Sequence, residues 1–248
     1  MTMIPDSPTA DREVRIVHSS DLHLNDLDTA GQKEEGGNLH VAAAVLNAAR
    51  LLAADVTLLV GDVFDNNRVS QRLIDDALIL LAAAHAPVVI LPGNHDCLEP
   101  NSVYYRGAFA ALANVHVLGM EDECSAYFPA LELEIWGQPH LSYSDMAPLA
   151  RPQPRSTKWQ VAAAHGHWIS HSIDSYRAYL IHPAEVVATK ADYVALGHWD
   201  QWTHVGKDVP PAYYSGAPAV EGTVNLVRLT GDQPIVTREN VVYSPNEG

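Results

Sequence analysis

The sequence is poor in cysteine, in positive charge and in long apolar runs, and each scarcity excludes a class of protein. Its 248 residues include two cysteines, Cys97 and Cys124, which are too few for a disulfide framework and lack zinc-site spacing. No stretch approaches the roughly 18 apolar residues that a membrane-spanning helix needs. The N-terminal residues resemble neither a signal peptide nor an anchor. We therefore expect a cytoplasmic protein with no membrane partner.

Positive charge is scarce relative to negative charge. The chain has 15 basic and 30 acidic residues, which gives a formal net charge of −15. Such a field repels nucleic acids unless basic residues gather on one face. The nearest approach to a cluster is residues 151–158, RPQPRSTK, whose prolines favour a solvated linker over a phosphate-binding patch. The charge therefore disfavours nucleic acid as a partner.

Strand and helix patterns alternate through the first half of the chain. Apolar runs typical of buried parallel strands occupy residues 14–20, 55–60 and 88–92. Amphipathic helical patterns occupy residues 40–54 and 71–85. This βαβαβ order predicts an α/β fold with parallel strands and right-handed crossovers.

After about residue 115, short strand patterns replace the helices. These patterns lie at residues 115–119, 131–137, 160–165, 192–197, 212–216 and 223–229. A second sheet stacked on the first explains them better than a second domain, because no disordered linker divides the halves. We expect one domain over residues 1–248, with a flexible segment at 1–13 and an exposed insertion at 142–159.

Polar side chains directly follow five of the predicted strands. They are Asp21, His23, Asp62, Asp65, Asn94, His95, Asp96, His165, His167, His198 and Asp200. Because the carboxyl ends of parallel strands share one edge of a sheet, we expect these side chains to form one site. Aspartates at such positions could simply cap helices, but capping does not require the accompanying histidines.

The types of donor at these strand ends indicate a metal centre. Carboxylate, imidazole and carboxamide donors suit Mn²⁺, Fe²⁺ and Zn²⁺, and the lack of thiolates argues against a closed structural zinc site. The number of donors suffices for two ions that share one bridging carboxylate. Two ions about 3.5 to 4 Å apart can bind phosphoryl oxygens and hold a hydroxide for in-line attack.

The motifs SDLH, GDVFD, GNHD, HGH and GHWD, in this order, resemble the calcineurin-like metallophosphoesterase family. Within it, YYSGAP at residues 213–218 is similar to a turn of SbcD-type DNA repair exonucleases. The resemblance implies a four-layer α/β/β/α sandwich of two mixed sheets flanked by helices. It also implies a phosphoester hydrolase with two divalent metal ions, Mn²⁺ first, with Fe²⁺ and Zn²⁺ as alternatives.

The resemblance also assigns roles to individual residues. The implied metal ligands are Asp21 and His23 for the first ion, Asn94, His165 and His198 for the second, and Asp62 as the bridge. His95 would contact the phosphate and protonate the leaving oxygen. Asp65 and Asp96 would orient His95 or a ligand.

The last motif departs from the family pattern, because GHWD places Asp200 where a histidine is usual. As a ligand, Asp200 would lower the net charge of the loaded site by one, and we expect either a preference for harder ions such as Mn²⁺ or weaker retention of the first ion. Alternatively, His204 completes the first metal site and Asp200 stays outside it. His167 has two interpretations, as a substrate contact or as a histidine behind the ligands.

The substrate is less determined than the chemistry. The SbcD-type resemblance favours phosphodiesters, but the negative charge and the short stretch after residue 218 disfavour DNA. We expect hydrolysis of small phosphodiesters by a metal-bound hydroxide, with His95 as general acid. The alternatives are an SbcD-like DNA nuclease and a scaffold that binds metal without catalysis.

Overall fold

The computed structural model describes residues 12–27, 37–121, 123–169, 176–206 and 210–243. The predicted flexible segment at 1–13 lies outside the described residues except for Arg12 and Glu13. The strands are β1 (Val14–Ser19), β2 (Val56–Val60), β3 (Val88–Leu91), β4 (Val115–Val117), β5 (Ser125–Phe128), β6 (Leu133–Gly137), β7 (Trp159–His165), β8 (His167–Trp168), β9 (Leu180–Ile181), β10 (Tyr193–Gly197), β11 (Thr203–Val205), β12 (Ala212–Tyr214), β13 (Thr223–Leu229) and β14 (Ile235–Asn240). The helices are α1 (His40–Leu51), α2 (Gln71–Ala82), α3 (Val103–Arg106), α4 (Pro183–Thr189) and α5 (Pro218–Glu221).

The βαβαβ prediction for the first half is confirmed in type and order. Both long helices end earlier than predicted. Helix α1 stops at Leu51, and Ala53 then adopts a positive φ of 50°. Helix α2 stops at Ala82, shortly before Ala86, whose helical conformation is disfavoured because Pro87 follows it.

Two six-stranded mixed sheets form the frame of the molecule. The first has the order β14-β13-β1-β2-β3-β4, and the second has the order β11-β12-β10-β7-β6-β5. Strands β1 to β4 run parallel in the first sheet, and β6, β7, β10 and β12 run parallel in the second. Each sheet therefore has a parallel centre whose carboxyl ends can carry site residues.

A buried apolar layer holds the two sheets together. Ile16, Leu58 and Val89 of the first sheet pack in one cluster with Ile135 and Val161 of the second. A second cluster packs α1 and α2 on the outer face of the first sheet. A third cluster, which includes Val186 of α4, covers the outer face of the second sheet. This confirms the predicted α/β/β/α sandwich.

The predicted insertion at 142–159 is largely irregular and exposed, and its last residue already belongs to β7. Arg155 anchors it, donating to Asp192 Oδ2 at 2.8 Å and to the Lys190 carbonyl at 2.8 Å. This arginine therefore bonds to the protein itself instead of contributing to a free basic patch. Among the described residues, no helix is long and apolar enough to cross a membrane.

A buried histidine beneath the site makes stability depend on pH. His18 of β1 is fully buried, and its Nδ1 lies 2.9 Å from the Tyr193 hydroxyl. Burial lowers the pKa of His18 to about 3 from its usual 6.5. The unfolded chain therefore binds one more proton than the folded chain between these two pKa values.

We predict that His18 destabilises the fold in mild acid. Its contribution is fully present above about pH 6.5 and falls by about 1.4 kcal/mol per unit as pH drops toward the folded pKa of about 3. In urea unfolding, His18→Gln should lose about 2 kcal/mol less than the parent between pH 6.5 and 5. Equal losses in the two proteins would show that His18 is not the titrating group.

Candidate metal centre

Strained turns at the strand ends position several of the predicted ligands. Asp21, His23, Asp62 and His198 have positive φ values of 55°, 46°, 52° and 104°. They make up half of the eight non-glycine residues with positive φ in the described part of the chain. Such residues cost about 1 to 3 kcal/mol each and concentrate at functional sites.

Two glycines let the two sheets approach each other at this edge. Gly61 follows β2 with φ +80°, and a Cβ there would lie 2.0 Å from His165 Nδ1. Gly197 ends β10, and a Cβ there would lie 1.9 Å from the Val60 carbonyl oxygen. A side chain at either position would push apart the groups that form the site.

One group of donors comes from both sheets. Asp62, His165 and His198 present ligand atoms that all lie within 4.8 Å of one another. Asn94 joins them, because its Oδ1 is 3.1 Å from His165 Nε2 and 3.2 Å from His198 Nδ1. The structure thus brings together the four residues predicted to hold the second ion.

The bonding of His165 shows that a cation fits this group. His165 Nδ1 donates to the Val60 carbonyl at 2.9 Å, so a neutral ring presents a lone pair at Nε2. That lone pair faces Asp62 Oδ2 at 3.1 Å and Asn94 Oδ1 at 3.1 Å, both of them acceptors. Three acceptors this close together need a proton or a metal ion between them.

The pKa of His165 supports the same conclusion. Burial disfavours the charged ring, but the carboxylates of Asp62 and Asp21 outweigh burial and raise the pKa to about 9. The surroundings therefore favour positive charge at this nitrogen. A divalent ion that binds imidazole, carboxylate and carboxamide can supply that charge.

A second group shares Asp62 with the first. His23, Asp62 and His95 also present ligand atoms within 4.8 Å of one another. His23 Nε2 lies 4.0 Å from Asp62 Oδ2, and its Nδ1 lies 3.4 Å from Asp65 Oδ1. Asp62 is thus the only member common to the two groups, which is the position the sequence predicts for a bridging carboxylate.

Two buried carboxylates at the site, those of Asp62 and Asp21, have opposite pKa shifts. Burial raises the pKa of Asp62, but charged His165 overcomes this effect, so the net shift is downward. Burial and the neighbouring Asp62 raise the pKa of Asp21, whose Oδ2 accepts from the His198 amide at 3.0 Å. Asp21 lies beside these groups without belonging to either, so its assignment to the first ion stays a prediction.

His95 is exposed at the surface of the site in a fixed orientation. Its backbone amide donates to Asp62 Oδ1 at 2.9 Å, and its Nδ1 donates to the Asp65 carbonyl at 2.7 Å. Its Nε2 is therefore the ring atom left to meet a ligand. Asp65 orients His95 through this backbone carbonyl, while its carboxylate faces His23.

Asp96 does not hydrogen-bond to His95 and instead holds the strand-end loops together. Its fully buried carboxylate accepts from the amides of Val63, Phe64 and Gly93 and from the Tyr104 hydroxyl, at 2.7 to 3.1 Å. These bonds tie the loop after β2 to the loop after β3. Asp96 therefore holds the loops that carry Asp62 and Asn94, and its part in catalysis stays a prediction.

The structure places neither Asp200 nor His204 in a donor group. Asp200 is exposed, and its carbonyl accepts from the Ala217 amide at 2.9 Å. His204 is exposed on the edge strand β11 and stacks on Tyr213 with ring centroids 4.2 Å apart. Both residues therefore lie outside the two donor groups. His167 is buried behind the ligands, where its Nδ1 accepts from Trp199 at 3.0 Å.

Sequence reasoning missed two residues that support the site. His140 is buried, and its Nε2 donates to the His165 carbonyl at 2.9 Å. His140 lies three residues after the end of β6. The predicted site residues also follow the ends of strands, so the same rule could have identified His140. Tyr179 has φ 58°, and its ring centroid lies 6.1 Å from that of His198. Its place in the chain gives no local signal.

We predict that Asp62 is required for both ions. Asp62→Asn removes the shared charge, so the Mn²⁺ retained after gel filtration should fall to near zero. His198→Gln removes one member of one group and should leave an ion in the other. Elemental analysis of the purified variants measures this, and full metal content in Asp62→Asn would contradict the shared role.

Asp200→Asn is the matched control, since it makes the same chemical change at an exposed aspartate. We expect it to retain its metal content. Loss of an ion from this variant would instead identify Asp200 as a ligand.

Comparison with known proteins agrees with this geometry. The model of the calcineurin-like phosphoesterase family matches residues 14–201. No curated protein matches the chain by sequence. Among solved structures, TT1561 of Thermus thermophilus has a similar fold, with a TM-score of 0.60 and 14% identity over 92% of this chain and 99% of that one. The chain therefore belongs to the calcineurin-like phosphoesterase family, and this membership implies a hydrolase of phosphoesters.

Proposed function

We propose that this protein hydrolyses small phosphodiesters with the help of two divalent metal ions, Mn²⁺ first among them. The observation that carries the proposal is the position of the Asp62 carboxylate, which two donor groups share. The residues that would hold the ions are Asp21, His23, Asp62, Asn94, His165 and His198. When bound, the ions neutralise phosphoryl charge and supply a nucleophile at neutral pH.

His95 is suited to deliver a proton to the leaving oxygen. A carbonyl can only accept, so the bond to Asp65 keeps a hydrogen on Nδ1 and leaves Nε2 to carry the transferable proton. The ring is exposed, and its centroid lies 4.8 Å from that of His23. It can therefore reach a substrate bound at the centre. His95 also belongs to a donor group, so metal content must be measured to separate the two roles.

Several observations favour a small substrate over DNA. The net charge is −15. Within the basic stretch at residues 151–158, Arg155 is already bonded to Asp192 and to the carbonyls of Lys158 and Lys190.

The similarity of YYSGAP to SbcD-type nucleases still favours a diester over a monoester. A DNA nuclease and a non-catalytic metal scaffold are the competing functions.

We predict that His95→Ala retains its metal and loses activity by on the order of 10² to 10⁴. The loss should be greater for alkyl than for p-nitrophenyl leaving groups, because a basic oxygen depends more on protonation. His85→Ala, which removes an exposed histidine in the turn after α2, should leave the rate unchanged. Loss of an ion from His95→Ala would make His95 a ligand instead.

The substrate class is tested by comparing three substrates with added Mn²⁺. We expect turnover of bis(p-nitrophenyl) phosphate to exceed that of p-nitrophenyl phosphate and of single-stranded DNA. Turnover of DNA alone would support a nuclease. Absence of all turnover in protein that retains its metal would support a scaffold.

A further inference from the structure

A cleft of about 680 Å³ opens beside the metal centre. Asn94 and His95 form one part of its lining, and the remaining residues are Asp65, Asn66, Arg68, Glu99 and Tyr143. Its volume lies within the range of about 300 to 1,000 Å³ that is usual for sites of small organic ligands. The cleft can therefore hold far more than a phosphoryl group.

The position of His95 determines which part of a substrate enters the cleft. Under the proposed function, on which this inference rests, His95 protonates the leaving oxygen. Because His95 lines the cleft, the group attached to that oxygen must extend into it. The residues farther along the cleft are then those that select the leaving group.

Arg68 is the one arginine or lysine in the lining of the cleft. Within the described part of the chain, no carboxylate forms an ion pair with its exposed guanidinium. The two carboxylates of the cleft are engaged. Asp65 contacts His23 at 3.4 Å and accepts from Asn66 at 3.0 Å, and Glu99 Oε1 lies 3.4 Å from Asn67 Nδ2.

The backbone around Arg68 is held rigidly. Arg106 donates to the carbonyls on either side of it, through Nη1 to Asn67 at 2.7 Å and through Nη2 to Val69 at 2.8 Å. The Arg68 amide donates to Asn66 Oδ1 at 2.8 Å. The buried Asn67 side chain accepts from the Val103 amide at 3.0 Å. An arginine on such a fixed backbone loses less freedom when it binds a ligand.

Tyr143 adds an aromatic surface to the same cleft. It is 55% exposed, its hydroxyl lies 3.5 Å from Glu99 Oε1, and its carbonyl accepts from the Tyr179 hydroxyl at 3.2 Å. An exposed but tethered ring can pack against a planar group. We propose that the cleft binds an aromatic leaving group with a negatively charged substituent, and that Arg68 is the positioning residue that pairs with that charge.

The test compares two chromogenic diesters that differ by one carboxylate on the leaving group. They are methyl 4-nitrophenyl phosphate and methyl 3-carboxy-4-nitrophenyl phosphate. The parent enzyme should favour the carboxylated ester in kcat/KM by about tenfold, as expected for a charge-assisted hydrogen bond. Arg68→Gln should abolish this preference by raising KM for the carboxylated ester to that for the uncharged ester, and Arg68→Lys should restore part of it.

Arg72→Gln is the matched control. It makes the same change of charge at an arginine of α2 that is 62% exposed and pairs with Asp76 at 3.7 Å, outside the cleft. It should retain the parent's preference. If Arg72→Gln loses the preference equally, overall charge and not the cleft is responsible, and the proposal is overturned.

A binding measurement separates this inference from the proposed function. The released phenol, 5-hydroxy-2-nitrobenzoate, should bind the metal-loaded parent about tenfold more tightly than Arg68→Gln in calorimetric titration, while 4-nitrophenol should bind both equally. If neither ester is hydrolysed, the proposed function fails and the leaving-group role fails with it, and the titration then decides whether Arg68 binds an anion. Hydrolysis with no difference between parent and Arg68→Gln overturns the role of Arg68 alone.

Discussion

A single hydrogen bond between the two sheets fixes the geometry of the metal centre. His165 at the end of β7 donates from Nδ1 to the Val60 carbonyl at the end of β2, at 2.9 Å. This bond sets the tautomer of the ring and aims Nε2 at Asp62 and Asn94. Close approach of the sheets is possible because Gly61 and Gly197 lack side chains. A substitution that moves the sheets apart here would separate the donors of one sheet from those of the other, even if each sheet itself stayed intact.

Packing elsewhere in the fold compensates for the destabilising features of this site. Buried carboxylates and left-handed turns each destabilise the folded chain, the turns by about 1 to 3 kcal/mol apiece. The apolar layer between the sheets and the bonds around Asp96 hold the strand ends in place in spite of that cost. A cation bound to the folded state would offset the charge of Asp21 and Asp62 and would thereby stabilise that state.

The sequence predicts elements whose signals are local. Strands β1, β2 and β3 are buried on both faces and alternate with clear helical periods, so their type and order could be read directly. The seven-residue α4 and the mostly exposed β14 carry no comparable pattern and were missed. Residues that close strands, such as Asp62 and His165, were predictable because the fold gathers strand ends. Arg68 and Tyr143 were not predictable in this way, because loops far apart in the chain bring them together. Asp200 stands at a motif position, but the structure leaves its side chain exposed.

The wide separation of the donors along the chain has a consequence for biosynthesis. Asn94 is 71 residues from His165 and 104 from His198, and Asp21 and His198, which share a hydrogen bond, are 177 residues apart. A nascent polypeptide that has not yet emerged beyond β10 cannot assemble the second donor group. Binding of an ion by that group would consequently have to follow synthesis of the chain through His198.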